Sequence, residues 1–262
     1  MGSYLGKHAE YYDIFYQDKP YAAEAAFVHE CLQRYGQGET TRLLELACGT
    51  GNHAFEFEKL GYQMLATDYS KDVLAIAHRK AAPRGSAVEF RQADIRALDL
   101  AERPFDAVIC LFDSIGYVQT NQAIADVLAG VQRHLRTGGL FIFEFWHAAA
   151  MLRGYEPRRE REWHTPELRL RRVSTTKLDV SRQLAQVTYD IEATNNDGEL
   201  TRLQETQTNR YFLVQEMAAF LSGAGFEAVN WLEAYDWQRP IDADTWHVLA
   251  VARKPSAEGS AP

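Results

Sequence analysis

An apolar run that ends in a tight glycine turn constrains this chain more than any other stretch. Residues 43–48 read Leu-Leu-Glu-Leu-Ala-Cys, and Gly49-Thr50-Gly51 follows directly. The run is too short for an ordinary helix, so it predicts a buried strand whose chain turns at its carboxyl end and enters a helix. Glycine lets the backbone approach a ligand without a Cβ, and open α/β sheets bind ligands beyond the carboxyl ends of their strands. The turn therefore predicts a ligand-binding loop.

Two cofactor classes use a turn of this kind, and the glycines alone do not separate them. Gly49-x-Gly51-x-x-Ala54 satisfies the loose dinucleotide-binding pattern, and Asp68 follows at about the spacing of a ribose-binding acid. A nicotinamide-dependent oxidoreductase is therefore an alternative. Two features weigh against it: the chain has no Tyr-x-x-x-Lys pair, and a second strand-end acid, Asp94, would have no role.

Five motifs in a fixed order are more specific than the turn by itself. They are residues 45–51 (ELACGTG), 66–70 (ATDYS), 92–95 (QADI), 104–110 (PFDAVIC) and 135–140 (LRTGGL). In these motifs the chain resembles the class I S-adenosylmethionine-dependent methyltransferases. The resemblance implies S-adenosylmethionine as the cofactor. The cofactor-binding residues that it implies are Tyr16, Tyr21, Glu45, Ala47, Gly49, Gly51, Asp68, Tyr69, Asp94, Ile95 and Leu111.

The amino-terminal segment adds a narrower resemblance, which covers about the first 150 residues. Tyr12-Asp13-x-x-Tyr16, followed by Tyr21-Ala-Ala-Glu-Ala, is similar to the lid of the sugar-nucleotide N,N-dimethyltransferases of aminosugar pathways. The resemblance implies that Tyr16 and Tyr21 face the methionine end of the cofactor.

Helical and strand patterns alternate through the first part of the chain, which predicts a doubly wound, Rossmann-like sheet of the α/β class. From Leu168 polar and apolar residues alternate, and Asn196-Asp197-Gly198 is a hairpin signal, so an antiparallel β insert over the cleft is predicted. The charged run at 158–162 is interpreted as a solvated loop. We divide the chain into a cofactor-binding core with its lid (1–157), the insert (158–212), a closing helix and terminal hairpin (213–254) and a disordered tail (255–262).

Composition limits the partners and the compartment. A net charge of −8 argues against nucleic acid, because phosphate binding needs a concentrated basic surface. Three widely spaced cysteines fit a reducing cytoplasm, and no apolar stretch approaches the ~20 residues that span a bilayer. The sequence thus predicts a cytoplasmic protein with a small-molecule acceptor, no nucleic acid or membrane partner and no metal. The insert is the predicted surface for a homodimer.

Methyl transfer requires alignment, desolvation and a deprotonated nucleophile. The predicted catalytic residues are Tyr16, Asp113 and His147, and the predicted acceptor-binding residues are Tyr117, Trp146 and Arg210. A carboxylate such as Asp113 suits an amine acceptor, which is the preferred hypothesis, whereas His147 would suit a hydroxyl acceptor and O-methylation. A cofactor-binding protein without catalysis is a further alternative.

Overall fold

The computed structural model describes residues 6–101 and 104–256. A seven-stranded mixed sheet forms its centre, in the spatial order β10-β11-β5-β4-β1-β2-β3. Strands β1 to β5 run parallel to their neighbours, whereas β11 pairs antiparallel with β5 and β10 antiparallel with β11. These strands are β1 (Arg42–Leu46), β2 (Gln63–Asp68), β3 (Glu89–Gln92), β4 (Phe105–Cys110), β5 (Leu135–Trp146), β10 (Glu227–Glu233) and β11 (His247–Arg253).

Helices cover both faces of this sheet. Alternate residues of β1 point to opposite faces, so Leu43 belongs to one apolar core and Leu44 to the other. Phe27, on a helix, packs in the core that contains Leu43, and Ile124, on another helix, packs in the core that contains Leu44. The predicted doubly wound α/β fold is therefore confirmed. The helices are α1 (Lys7–Glu10), α2 (Tyr12–Phe15), α3 (Tyr21–Tyr35), α4 (Asn52–Lys59), α5 (Lys71–Ala81), α6 (Asn121–His134), α7 (Ala148–Gly154) and α8 (Val214–Gly223), with short 3-10 turns at Ala82–Arg84, Ile95–Ala97 and Ser114–Tyr117.

A separate four-stranded antiparallel sheet forms the predicted insert. Its strands are β6 (Arg158–His164), β7 (Leu168–Asp179), β8 (Leu184–Asn195) and β9 (Leu200–Arg210), which pair in chain order. The charged run at 158–162 is thus the edge strand β6 and not a loop. Its alternating charges follow the two faces of a strand: Glu160 and Glu162 pair with Arg171 and Arg169 of β7, whereas Arg159 and Arg161 line a cavity.

The amino-terminal segment bridges the insert and the central sheet. Tyr11 and Phe15 pack with Trp163 and other apolar residues of the insert. The Asp13 carboxylate accepts hydrogen bonds from Thr50 and Asn52, at the glycine turn, and forms a 2.8 Å ion pair with Lys80 of α5. The segment therefore contacts the insert on one side and the glycine turn and α5 on the other.

The longest strand of the central sheet contains two glycines. β5 begins at Leu135, directly after α6, and runs through Gly138 and Gly139; Gly138 takes a φ of +75° and donates its N–H to the Lys254 carbonyl. Most of the predicted tail, residues 257–262, lies outside the described residues. Among the helices that the structure describes, none combines the length and apolar character needed to cross a membrane. The homodimer and the cytoplasmic location stay predictions.

Candidate active site

A cavity of about 880 Å³ lies beyond the carboxyl ends of the central strands, with the insert as its opposite wall. The strand-end position agrees with the general location of ligand sites in open α/β sheets. Residues predicted for the cofactor line one end, namely Tyr16, Ala47, Gly49, Asp68, Tyr69, Asp94 and Ile95. Residues predicted for the acceptor line it as well, namely Asp113, Tyr117 and Trp146.

The glycine turn is fixed to the end of β2. Asp68 accepts hydrogen bonds from the Gly49 N–H at 2.9 Å and from the Ser70 N–H at 2.8 Å. Burial raises the pKa of Asp68, although these backbone N–H groups oppose that shift by stabilising the carboxylate. Gly49 has a φ of +56°, a backbone conformation that is costly for any residue with a side chain. The loop thus presents backbone without a side chain beside a half-buried carboxylate.

Asp94 lies at the end of β3 and forms an ion pair with Arg96. Hydrogen bonds from the Arg96 guanidinium, the shortest of 2.6 Å, hold the pKa of this carboxyl below its usual value. Ile95 follows on the same wall of the cavity. An acid and an apolar side chain together suit the edge of a purine ring that carries an amine.

Three charged side chains meet at the carboxyl ends of β4 and β5. His247 Nδ1 lies 2.8 Å from Asp113 Oδ2 and 3.2 Å from Glu144 Oε1. Glu144 Oε2 accepts hydrogen bonds from the Tyr235 hydroxyl and the Phe112 N–H, both at 2.9 Å. We call Asp113, Glu144 and His247 the acid–histidine cluster.

The backbone before the cluster is strained. Phe112 and Asp113 both have positive φ, +56° and +55°, although neither is a glycine. Such conformations cost on the order of 1 kcal/mol or more each and concentrate at functional sites. This turn directs the Asp113 carboxylate toward His247.

Opposing effects set the charges of the cluster. Burial lowers the pKa of His247, but the two carboxylates outweigh it and raise that pKa to about 11. Burial raises the pKa of Asp113 to about 6, although the positive charge of His247 acts to lower it. Burial would also raise the pKa of Glu144, but its hydrogen bonds from His247 and Tyr235 help lower it to about 2. Two carboxylates and one imidazolium give the cluster one net negative charge at neutral pH.

Comparison with known proteins identifies the part of the chain that carries the glycine turn. Residues 43–139 match the family described as "Methyltransferase domain". A dTDP-3-amino-3,4,6-trideoxy-alpha-D-glucopyranose N,N-dimethyltransferase from Streptomyces venezuelae is 37% identical over 141 residues, which are 53% of this chain and 57% of that enzyme. The chain thus matches little more than half the length of this relative.

Solved structures extend the similarity of the fold over nearly the whole chain. The sugar N-methyltransferase KedS8 from Streptoalloteichus has a TM-score of 0.79 at 24% identity, covering 98% of this chain and 96% of that one. S-adenosylmethionine-bound CalS10, an amino pentose methyltransferase from Micromonospora echinaspora, has a TM-score of 0.75 at 22% identity, covering 97% and 99%. The resemblance to S-adenosylmethionine-dependent methyltransferases and their Rossmann-like fold is confirmed.

Some of the predicted cofactor-binding residues lie behind the glycine turn. Tyr21, Glu45 and Leu111 line a small second cavity of about 20 Å³, together with Ala47. Glu45 Oε2 is buried without a hydrogen-bond partner among the described residues, and burial raises the pKa of Glu45 to about 8. Gly51 lines neither cavity, because its Cα faces the Phe90 ring.

Two residues predicted to contact the acceptor are not among those that line the cavity. His147 is buried, with Nδ1 3.2 Å from the Thr245 carbonyl, because it follows Trp146 in an extended segment and so points to the opposite side. Arg210 is only 5% exposed and pairs with Glu216 at 2.7 Å. The geometry gives both side chains structural contacts in place of the predicted ones.

Proposed function

We propose that this protein is an S-adenosylmethionine-dependent N-methyltransferase that acts on a small-molecule amine. The observation that carries the proposal is a single cavity whose lining includes the glycine turn and Asp68 as well as Asp113 and His247 of the acid–histidine cluster. The cluster's net negative charge complements one ammonium group. Because an alkylammonium has a pKa of about 10, it must lose a proton before its nitrogen attacks, and a nearby carboxylate both attracts the cation and can accept the hydrogen.

The residues around the glycine turn fit the chemistry of the cofactor. Asp68 would hold the ribose hydroxyls, Asp94 the adenine amine and Glu45 the ammonium group, whose charge would satisfy the unpartnered Glu45 oxygen. When bound, S-adenosylmethionine supplies a methyl group activated by its sulfonium charge. The protein supplies alignment of the two reactants within the cavity.

Glu45 predicts a pH dependence of cofactor binding. Its pKa of about 8 means that the free protein carries mostly protonated Glu45 at pH 7, and pairing with an ammonium would lower that pKa in the complex. Binding below pH 8 must therefore release a proton, and cofactor affinity should rise between pH 6 and pH 7.5. Calorimetry in buffers of different ionisation enthalpy measures this release. Glu45→Gln should remove it, and an equal release in that variant would exclude the role.

Arg172 suggests that the acceptor carries an anionic group as well as an amine. Its guanidinium lines the cavity 4.5 Å from the Phe15 ring centroid and 4.9 Å from that of Trp163. Within the described residues it has aromatic neighbours but no carboxylate or other hydrogen-bonding partner. A guanidinium with unused donors suits a phosphate or carboxylate. The dTDP-linked amino sugar in the relative's name combines an amine with phosphates.

We therefore expect Arg172→Gln to raise the apparent KM of an anionic amine about tenfold to a hundredfold, the loss of one charge-assisted interaction. Steady-state kinetics with a phosphorylated amino sugar and its unphosphorylated form measures the effect. Arg171→Gln is the matched control, because Arg171 pairs with Glu160 on the outer face of the insert. An equal change in KM for both acceptors would exclude an anion-binding role.

A screen of amines and hydroxyl compounds with S-adenosylmethionine tests the proposed function. Mass spectrometry should find a methylamine product, and thermal shift should detect S-adenosylmethionine but not nicotinamide nucleotides. Methyl ethers alone would support O-methylation instead. Stabilisation by a nicotinamide nucleotide alone would support the oxidoreductase.

A further inference from the structure

The acid–histidine cluster contains two groups that the proposed reaction does not yet use. Glu144 and His247 come from β5 and β11, which pair antiparallel, and both contact the strained turn that carries Asp113. Glu144 accepts from the backbone N–H of Phe112, the residue next to Asp113, and His247 contacts the Asp113 carboxylate itself. The turn is thus attached to the sheet on both sides of the Phe112–Asp113 bond.

The hydrogen bonds leave one Asp113 oxygen without a protein partner. Oδ2 faces His247, whereas Oδ1 is buried and has no hydrogen-bond partner among the described residues. An unpaired buried carboxylate oxygen is costly unless a ligand supplies a donor. Glu144 differs, because Tyr235, Phe112 and His247 already engage it. Asp113 is therefore the member of the cluster that has a carboxylate oxygen available to accept a hydrogen bond from a ligand.

The charges that face Asp113 have opposite effects on its ionisation. His247 favours the carboxylate and Glu144 disfavours it, whereas Lys19, from the amino-terminal segment, favours it from the other side. Lys19 Nζ lies 4.2 Å from the Phe112 ring centroid and also pairs with Glu24. The neighbouring Tyr235 and Cys110 stay neutral, because burial raises the pKa of both groups.

We infer that His247 and Glu144 are positioning residues that together hold Asp113 ionised and oriented, with Oδ1 as the atom that binds the ammonium nitrogen of the acceptor. The inference rests on the proposed N-methylation. Glu144 anchors the turn through Phe112, and His247 supplies the positive charge that keeps two buried carboxylates ionised side by side. With an ammonium bound, two carboxylates would face two cations, and the cluster would be neutral.

Carbon-13 NMR titration of the Asp113 carboxyl carbon tests the inference without any acceptor, and Asp113→Asn assigns the signal. His247→Gln should move the Asp113 midpoint from about 6 to higher pH by at least about one unit, because the imidazolium charge is lost. Glu144→Gln should move it to lower pH, because a like charge is lost. His164→Gln, at an exposed histidine of β6, is the control and should cause no shift. Thermal melting identifies any variant that fails to fold.

The acid limb of kcat/KM for an identified amine should follow these midpoints, with opposite shifts in the two variants. A role in packing alone would not produce opposite shifts. Equal shifts, or none, would overturn the inference while leaving N-methylation intact. If the wild-type protein methylates no amine, the proposed function fails, whatever the titration shows. Turnover that EDTA abolishes and Mg²⁺ restores would make the cluster a metal site and would also overturn the inference.

Discussion

Asp68→Ala is expected to weaken S-adenosylmethionine binding roughly one hundredfold. A charge-assisted interaction with the ribose hydroxyls contributes about 1.5–3 kcal/mol, equivalent to about ten- to a hundredfold in affinity. The substitution also removes the acceptor of the Gly49 N–H, so the glycine turn loses its attachment to β2. The two losses act together and place the effect at the upper end of that range. Isothermal titration calorimetry measures it directly.

Asp126→Ala is the control for this variant, because Asp126 lies exposed on α6, where its carboxylate accepts a hydrogen bond from the Gln122 side-chain amide. It should bind the cofactor like the wild type. A folded Asp68→Ala protein with unchanged affinity would show that the carboxylate does not bind the cofactor. Tight binding of a nicotinamide nucleotide by the wild type would contradict the assignment of this cavity.

Gly51→Ala is expected to lower the free energy of unfolding by about 2–4 kcal/mol. Gly51 has a φ of +81°, which costs a non-glycine residue on the order of 1 kcal/mol, and overpacking adds about 1–3 kcal/mol. A Cβ at this position would lie 2.7 Å from the Phe90 ring, which packs in turn against Phe55. The Phe90 ring is buried and also packs against His78. Urea denaturation of the two proteins measures the difference.

Gly85→Ala separates the two causes. Gly85 is also left-handed, with a φ of +60°, but a Cβ there would meet no atom within 4 Å. It should therefore lose only the backbone contribution, about 1 kcal/mol. If both alanine variants lose the same stability, the contact with Phe90 is not the reason for glycine at position 51.

Local sequence was sufficient to predict which strand-end residues line the cavity beside the glycine turn. The glycine turn and Asp68 lie close together because consecutive parallel strands end at the same edge of the sheet, and each motif lies beside its own strand. Gly51 is the exception. A side chain at this position would collide with the Phe90 ring, and no motif links Phe90 to the glycine turn. A motif thus indicated that a glycine was needed without indicating why.

The part of the cavity around Asp113 depends on pairings that the sequence does not reveal. His247 contacts Asp113 across 134 residues, and only the register of β11 against β5 brings His247 close to Glu144. His147 looked suitable because it follows a strand, but a strand alternates its side chains, so the neighbouring Trp146 reaches the cavity instead. A shift of one residue reverses such an assignment.

The arginines of the insert illustrate the same difficulty. Arg210 and Arg172 both lie on strands of this sheet, and nothing in the local sequence shows which of them faces the cavity. The structure gives Arg210 a carboxylate partner and Arg172 a set of aromatic neighbours. Pairing with Glu216 depends on where α8 begins after β9, which is a tertiary feature.

The site of methylation on an acceptor that offers both an amine and hydroxyl groups tests the central claim most directly. The wild-type protein would be incubated with methyl-deuterated S-adenosylmethionine and a phosphorylated amino sugar, and the product analysed by tandem mass spectrometry. We expect the label on nitrogen, and we expect Asp113→Asn to abolish its transfer while cofactor binding persists. Label on oxygen, with transfer retained in Asp113→Asn, would contradict it.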